Sequence, residues 1–395
     1  MRNMLIPPVC AGFLLGGCTD GSGGGDSGGP IFEDGVLSLI TASPQEGEAP
    51  LSVTFEAETN VPSATFVWDF GDNSPTESGL RVTHTFEEDG VYSVVLYVQA
   101  EGSVSDTSSV TIRVSEASLD CPQCEGVVEV GRLEDQRINE CSGIAWSRTQ
   151  PILWLHNDSG DSARFFGVSE EGDLIAVVRL AGASARDWED MARGPWPEGG
   201  DALYFGDIGD NGRSRSKIRI YRVPEPVIDL QSAPVDITVD SYDAFDLVYP
   251  DHPHDAETLL VDPGTGDIYI VTKESDGRSG VYYAPAPSDG ETVELELVAS
   301  VRFGAGELSG SALATGGDVS AGGRRVIIRT YNRAFVFNRP PGGSLAEAFE
   351  SSPCSVPVAS ERQGESIAFA PGGIGFYTIS EGIKVPIHYT ECSGK

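Results

Sequence analysis

Three glutamates recur at one register in a chain that otherwise repeats only loosely. Glu189 lies in ARDWEDMA (185–192), Glu257 in AETLLV and Glu365 in GESIAF, each at the head of a short strand. Two segments of the same pattern, CSGIAW and GGDVSA, set Ser142 and Gly317 at that position, with Glu140 and Asp318 close by. In this alignment Asp190 matches Gly143, Thr258, Asp318 and Ser366, and Asp187 is left without a role beyond capping the turn. The strand following each segment ends in polar residues: Asn157 and Asp158, Asp207 and Asp210, Glu274, and Glu381. Carboxylates gathered on converging strands repel one another unless they bind a cation or take up protons. Oxygen ligands suit a hard divalent cation, and calcium fits an exterior setting. Glu189, Glu257, Glu365 and Asp318 are then the metal ligands, and the strand-end residues line a binding site around them. The competing arrangement is a structural network. There the carboxylates accept bonds from neighbouring backbone amides or pair with Arg186, Lys273 or Arg329.

Other chemistry has less support. His156, His252, His254 and His388 invite a hydrolase reading, but no GxSxG elbow is present. DHPHD (251–255) offers two histidines between aspartates, a donor set for a transition metal. GAGELSG lacks the lysine and helix of a phosphate-binding loop. Trp188 is expected to pack between repeats.

The elements that must position these residues repeat from about residue 127 onward. An apolar strand is followed by a Gly/Pro turn such as DPGTGD or APGG, then by a second strand: ILWLHNDSGD, ALYFGDIGDN, DIYIVTKESD, RVIIRTYNR and GFYTISEGI. A third strand often follows, as in RFFGVS or KIRIYRV. Repeated antiparallel units of this kind describe a β-propeller with the first strand of each unit innermost. Five repeats are counted, and the interval 225–255 leaves room for a sixth. GVVEVGRL (126–133) has no opening strand of its own. It is expected to form the outer strand of the last blade, antiparallel to VPIHYTEC, which brings Cys124 or Cys121 near Cys392.

Residues 36–116 alternate apolar and polar in LSVTFEAET, ATFVWDFGD, YSVVLYVQA and SVTIRVSE, the pattern of a two-sheet sandwich. FVWDFGDNSP followed by VTHTFEEDGVYSV resembles the polycystic-kidney-disease (PKD) domain. The resemblance implies an immunoglobulin-like sandwich with Trp68 in its core, a turn at Gly71 and Asp72, and a spacer or binding role on surface proteins. Asp69 and Asp72 themselves suit turn chemistry. HNDSG, RDWED, GDIGDN, DAETLL, TGGDVS and QGESIAF resemble segments of bacterial extracytoplasmic, TolB-like propellers, a likeness that implies fold and no activity. Several unrelated propeller hydrolases hold calcium in the central channel, and this chain resembles lactonases of the gluconolactonase family in having a glutamate before the first inner strand.

The 395 residues include 60 acidic and 26 basic ones, a net charge of −34. So acidic a surface excludes a nucleic-acid partner. Arg2 and the short apolar stretch after it read as a signal segment, too short to span a membrane. LGGC (15–18) resembles a lipobox, which implies lipid on Cys18. Thr19, where an aspartate would signal inner-membrane retention, implies the outer membrane or cell surface. A Gly/Ser tether follows. The domains expected are a leader over 1–18, a linker over 19–35, the PKD domain over 36–116, a linker with CPQC over 117–126 and the propeller over 127–395. In an exported chain, Cys121, Cys124, Cys141, Cys354 and Cys392 are disulfide candidates with open connectivity. Two functions fit this all-β layout. The favoured one is a surface lipoprotein that binds an extracellular protein or polysaccharide, with calcium. The other is a metal-dependent hydrolase of an ester, lactone or phosphoester.

Overall fold

The computed structural model describes residues 38–393 apart from 50, 61–62, 73, 87–89, 100–104, 116–119, 304–310, 372 and 374. The leader, Cys18, the Gly/Ser run and GAGELSG lie outside the described residues.

Alternation drives the first module. In Leu51–Thr59 the residues facing inward are buried and their neighbours are not. That strand pairs with Ser38–Ser43 and Arg81–Phe86. A second sheet holds Gly90–Gln99 between Thr65–Asp69 and Ser105–Ser115, with short strands at both edges. Trp68 is fully buried between the sheets, and its indole N–H donates to the Gly79 carbonyl at 2.9 Å. Phe55, Phe70 and Phe86 pack around it, and Tyr92 stacks on Phe86 at 4.5 Å. Asp69 accepts from the Gly71 amide, and Gly71 takes φ +74°, a conformation glycine tolerates. Asp72 accepts from the Ser74 amide and hydroxyl and holds His84 at 2.6 Å. Both aspartates therefore serve the turn.

The second module is a propeller of five sheets among the described residues. The inner strands are Cys141–Trp146, Trp188–Pro195, Ala256–Val261, Ala314–Val319 and Gly364–Phe369, each touching the next around a closed ring. Apolar clusters fill the interfaces between neighbouring blades, so inner strands are buried on both faces and show no alternation. The interval 225–255 does not hold a sixth blade. Val235–Val239 adds in parallel to the outer strand of blade 1, and Asp243–Val248 is the fourth strand of blade 2. Thr292–Glu294 extends blade 2 in the same way. Gln123–Arg132 pairs antiparallel with Pro386–Ser393 and completes blade 5, where Cys124 and Cys392 are joined. Cys121 is joined to Cys354 on the outer strand of blade 4. Cys141, grouped with the disulfide candidates, is free and buried, because it opens the inner strand of blade 1 at the ring's interior.

The sandwich meets the propeller where the inner strands end. Arg325 pairs with Glu48 at 2.6 Å, and the Thr54 hydroxyl donates to the Arg148 carbonyl at 2.7 Å. The strands' opposite ends, where the glutamates lie, face away from that contact.

Polar groups bind the ring together at its axis. Asp190, fully buried on blade 2, accepts the amides of Met191 at 2.9 Å, Leu259 of blade 3 at 3.0 Å and Gly317 of blade 4 at 3.1 Å. Asp318 of blade 4 accepts from its neighbour Val319 and from Phe369 of blade 5, both at 2.8 Å. Asp190→Ala would leave these buried amides without their acceptor. It is expected to cost about 3 kcal/mol or more, read by urea denaturation, whereas Asp190→Asn keeps one acceptor oxygen and costs less.

Candidate functional site

Each inner strand carries a bulge at its second residue. The pairing skips Ser142, Glu189, Glu257, Thr315 and Glu365 in turn. A bulged residue leaves the ladder and its side chain is re-aimed, so these five share one station at the channel mouth. The register also corrects the blade 4 alignment: Thr315, not Gly317, occupies the glutamate position. Gly316, not Asp318, matches Asp190. Asp318 lies further along the strand and spends its oxygens on the backbone amides named above. The smaller bulge residues tie blades together. The Ser142 hydroxyl donates to the Glu189 carbonyl, and that of Thr315 donates to the Gly364 carbonyl at 2.9 Å.

Glu189 does not stand alone. Asp158, just past the second strand of blade 1, and Asp187, on the approach to blade 2, each present an oxygen so that all three ligand atoms lie within 4.8 Å of one another. Gly209, in the GDIGDN loop, closes over them. A Cβ there would meet Glu189 Oε1 and Asp187 Oδ2, so a larger residue would push both carboxylates from their present positions. Its amide donates to the Asp187 carbonyl at 3.2 Å. Beside this group, Lys273 contacts Glu257 and donates to the Tyr331 hydroxyl at 2.9 Å. Glu257 Oε2 is buried with no hydrogen-bond partner. Glu365 accepts from Gln363 at 3.1 Å.

The electrostatics follow from burying several carboxylates together. Burial and then Glu257, Asp158 and Asp187 push Glu189 well above the ordinary carboxylate range. Burial raises Asp158 and Asp187 as well, Asp187 further through Asp158. Glu257 is pushed up to about 8 by burial, against the pull of Lys273. Glu381 reaches about 7 through burial and the charges of Glu365 and Asp158.

The remaining candidates have other partners. Asn157 accepts the amides of Asn139 and Glu140 and donates to the Arg137 carbonyl. Asp207 takes the amides of Arg186 and Asp187 and pairs with Arg215 at 2.8 Å. Asp210 caps the Ser214 and Arg215 amides. Glu274 pairs with Arg213 and His254. Arg329, fully buried, pairs with Glu361 at 2.8 Å. His388 holds the other oxygen of Glu361. Burial pushes His156 down to about 4, and its ring sits edge-on to Trp188 and Phe205. Trp188 stacks on Phe205 in turn, filling the interface of blades 1 and 2.

Residues 39–114 match the family model of the PKD domain. No curated protein matches the chain. Among solved structures, the chain is similar to a quinonprotein alcohol dehydrogenase-like protein from Bacteroides thetaiotaomicron at 9% identity. That match covers 88% of this chain and 95% of the other with a TM-score of 0.30, a likeness that bears on no activity.

Carboxylates raised in the folded state bind protons that the unfolded chain releases near pH 4.3. Their stabilising protonation is complete below that value and is lost as pH rises through about 7 for Glu381 and about 8 for Glu257. In chelator, the melting temperature is therefore expected to fall between about pH 5 and pH 8.5, and Glu381→Gln to flatten part of that fall.

Proposed function

We propose that this chain is an extracellular binding module whose propeller takes a hard divalent cation, of the calcium class, at the channel mouth. The observation that carries this is the convergence of Asp158, Asp187 and Glu189 under Gly209. Three carboxylate oxygens within 4.8 Å of one another match the donor chemistry of such an ion, whose ligands lie at about 2.3–2.6 Å. The unpartnered oxygen of buried Glu257 supports the same fit, since one more cationic neighbour would satisfy it. Three carboxylates leave further coordination positions for oxygens of a bound partner, which suits an extracellular polysaccharide or an acidic protein surface. The sandwich supports a presenting role, because it meets the propeller at the end away from the mouth. The PKD match and two disulfides support an exported setting. Anchoring through lipid on Cys18, with the outer membrane as destination, belongs to the same proposal.

A metal-dependent hydrolase is the second reading, and one observation favours it. Glu257, held near pH 8 beside the carboxylate cluster and linked through Lys273 to Tyr331, has the placement of a general acid or base.

Calcium at a hundredfold excess over its Kd is expected to add about 2.7 kcal/mol of stability, seen as a higher melting temperature reversed by chelator. Glu189→Gln and Asp187→Asn should abolish the response, and Asp72→Asn, in the sandwich turn, should leave it unchanged. No calcium response in the parent chain removes the cation proposal. For the anchor, Cys18→Ser should move the protein from the membrane fraction to the soluble one, and unchanged partitioning would refute it.

A further inference from the structure

We propose that Asp251, His252 and His254 form a second cation site, for a borderline metal of the zinc class, on the loop leading into blade 3. The loop runs between Asp243–Val248 and Ala256–Val261. Each of the three residues offers a ligand atom within 4.8 Å of the others. His252 Nδ1 lies 3.2 Å from Asp251 Oδ2, and His254 Nε2 lies 3.1 Å from Asp251 Oδ1. Donors around a tetrahedral zinc ion, bonded at about 2.0–2.2 Å, stand roughly 3.3 Å apart, so both nitrogen–oxygen spacings suit one coordination shell. Imidazole nitrogens suit zinc, copper or nickel rather than calcium, which separates this site from the channel mouth.

The independent observation is the placement of His254. Its side chain is 9% exposed, and Nδ1 faces Glu274 Oε1 at 3.2 Å. A neutral imidazole has one N–H and one lone pair. With Nδ1–H donated to Glu274, the Nε2 lone pair faces the Tyr282 hydroxyl at 2.8 Å and both Asp251 oxygens at 3.1 and 3.2 Å. A metal ion bound by Nε2 and an Asp251 oxygen would turn the nitrogen–carboxylate contact into shared coordination. A carboxylate on the far ring nitrogen is also the usual orienting partner of a metal-bound histidine. Tyr282, whose hydroxyl lies 2.8 Å from His254 Nε2 and 3.2 Å from Asp251 Oδ2, closes the inner side. The outer side is open: the side chains of His252 and Asp251 are 62% and 44% exposed. Three protein ligands with an open fourth position give an ion that a water molecule or a partner's donor can reach.

The test is calorimetric titration of the metal-stripped full chain with Zn²⁺, paired with Co²⁺ absorption to register tetrahedral nitrogen and oxygen ligation. One equivalent with a visible cobalt spectrum is expected. His252→Ala, an exposed position whose loss should not unfold the blade, should abolish that binding. Glu274→Gln should weaken it about tenfold to a hundredfold by removing the orienting carboxylate. Glu189→Gln should leave it unchanged. Absence of zinc binding in the parent chain overturns the proposal, as does binding that survives His252→Ala or is lost with Glu189→Gln, since the ion would then sit in the channel.

Discussion

One buried carboxylate sets the terms for the propeller. Asp190 lies at the axis and gathers amides from blades 2, 3 and 4. Burial raises its pKa, while three N–H donors favour its charged form. A buried carboxyl group in that position is tolerable only while all its donors stay in place, so the inner strands are held to one register. Asp318 continues the device from blade 4 to blade 5, and Arg329 reinforces that interface through the Ser366 carbonyl at 2.8 Å. Apolar packing between blades supplies the bulk of the burial but little direction. These few polar groups fix how the strands slide against one another.

Fixed register is what gives the mouth its chemistry. The channel holds two kinds of acidic residue that differ by one to three positions along a strand. Those past the bulge are consumed by backbone amides. Those on the bulge, or just before it, face one another and lack enough donors. Neutral Ser142 and Thr315 at the same station spend their hydroxyls on the next blade, so the negative charge falls on three blades of five. The cluster of Asp158, Asp187 and Glu189 sits at the seam of blades 1 and 2, where the second strand of one blade and the approach to the next come together.

Much of this was legible in the sequence, for physical reasons. The equivalence of Glu189, Glu257 and Glu365 follows from strand periodicity, and the bulges bear it out in register. The sandwich showed itself through one-sided burial, and the closing strand through its lack of an opening partner. Blade 4 slipped by two residues because Ala314 to Gly317 are small and give the pattern nothing to lock onto. That slip is what placed Asp318 beside the glutamates. Asp187 was expected to cap a turn, and its approach to Asp158 depends on contact between two blades that no local pattern encodes. Gly209 was the available signal: a glycine between Asp207 and Asp210 in GDIGDN hints at a loop passing close to other side chains. Asn157, Asp207 and Asp210 look like ligands by type, yet each is used up by nearby amides or an arginine.

The two disulfides span 233 and 268 residues and fasten the start of the propeller to its fourth and fifth blades. Neither crosslink can form until almost the whole propeller has been made. The ring that gathers the acidic residues closes only when its last blade pairs with the strand that opens the propeller.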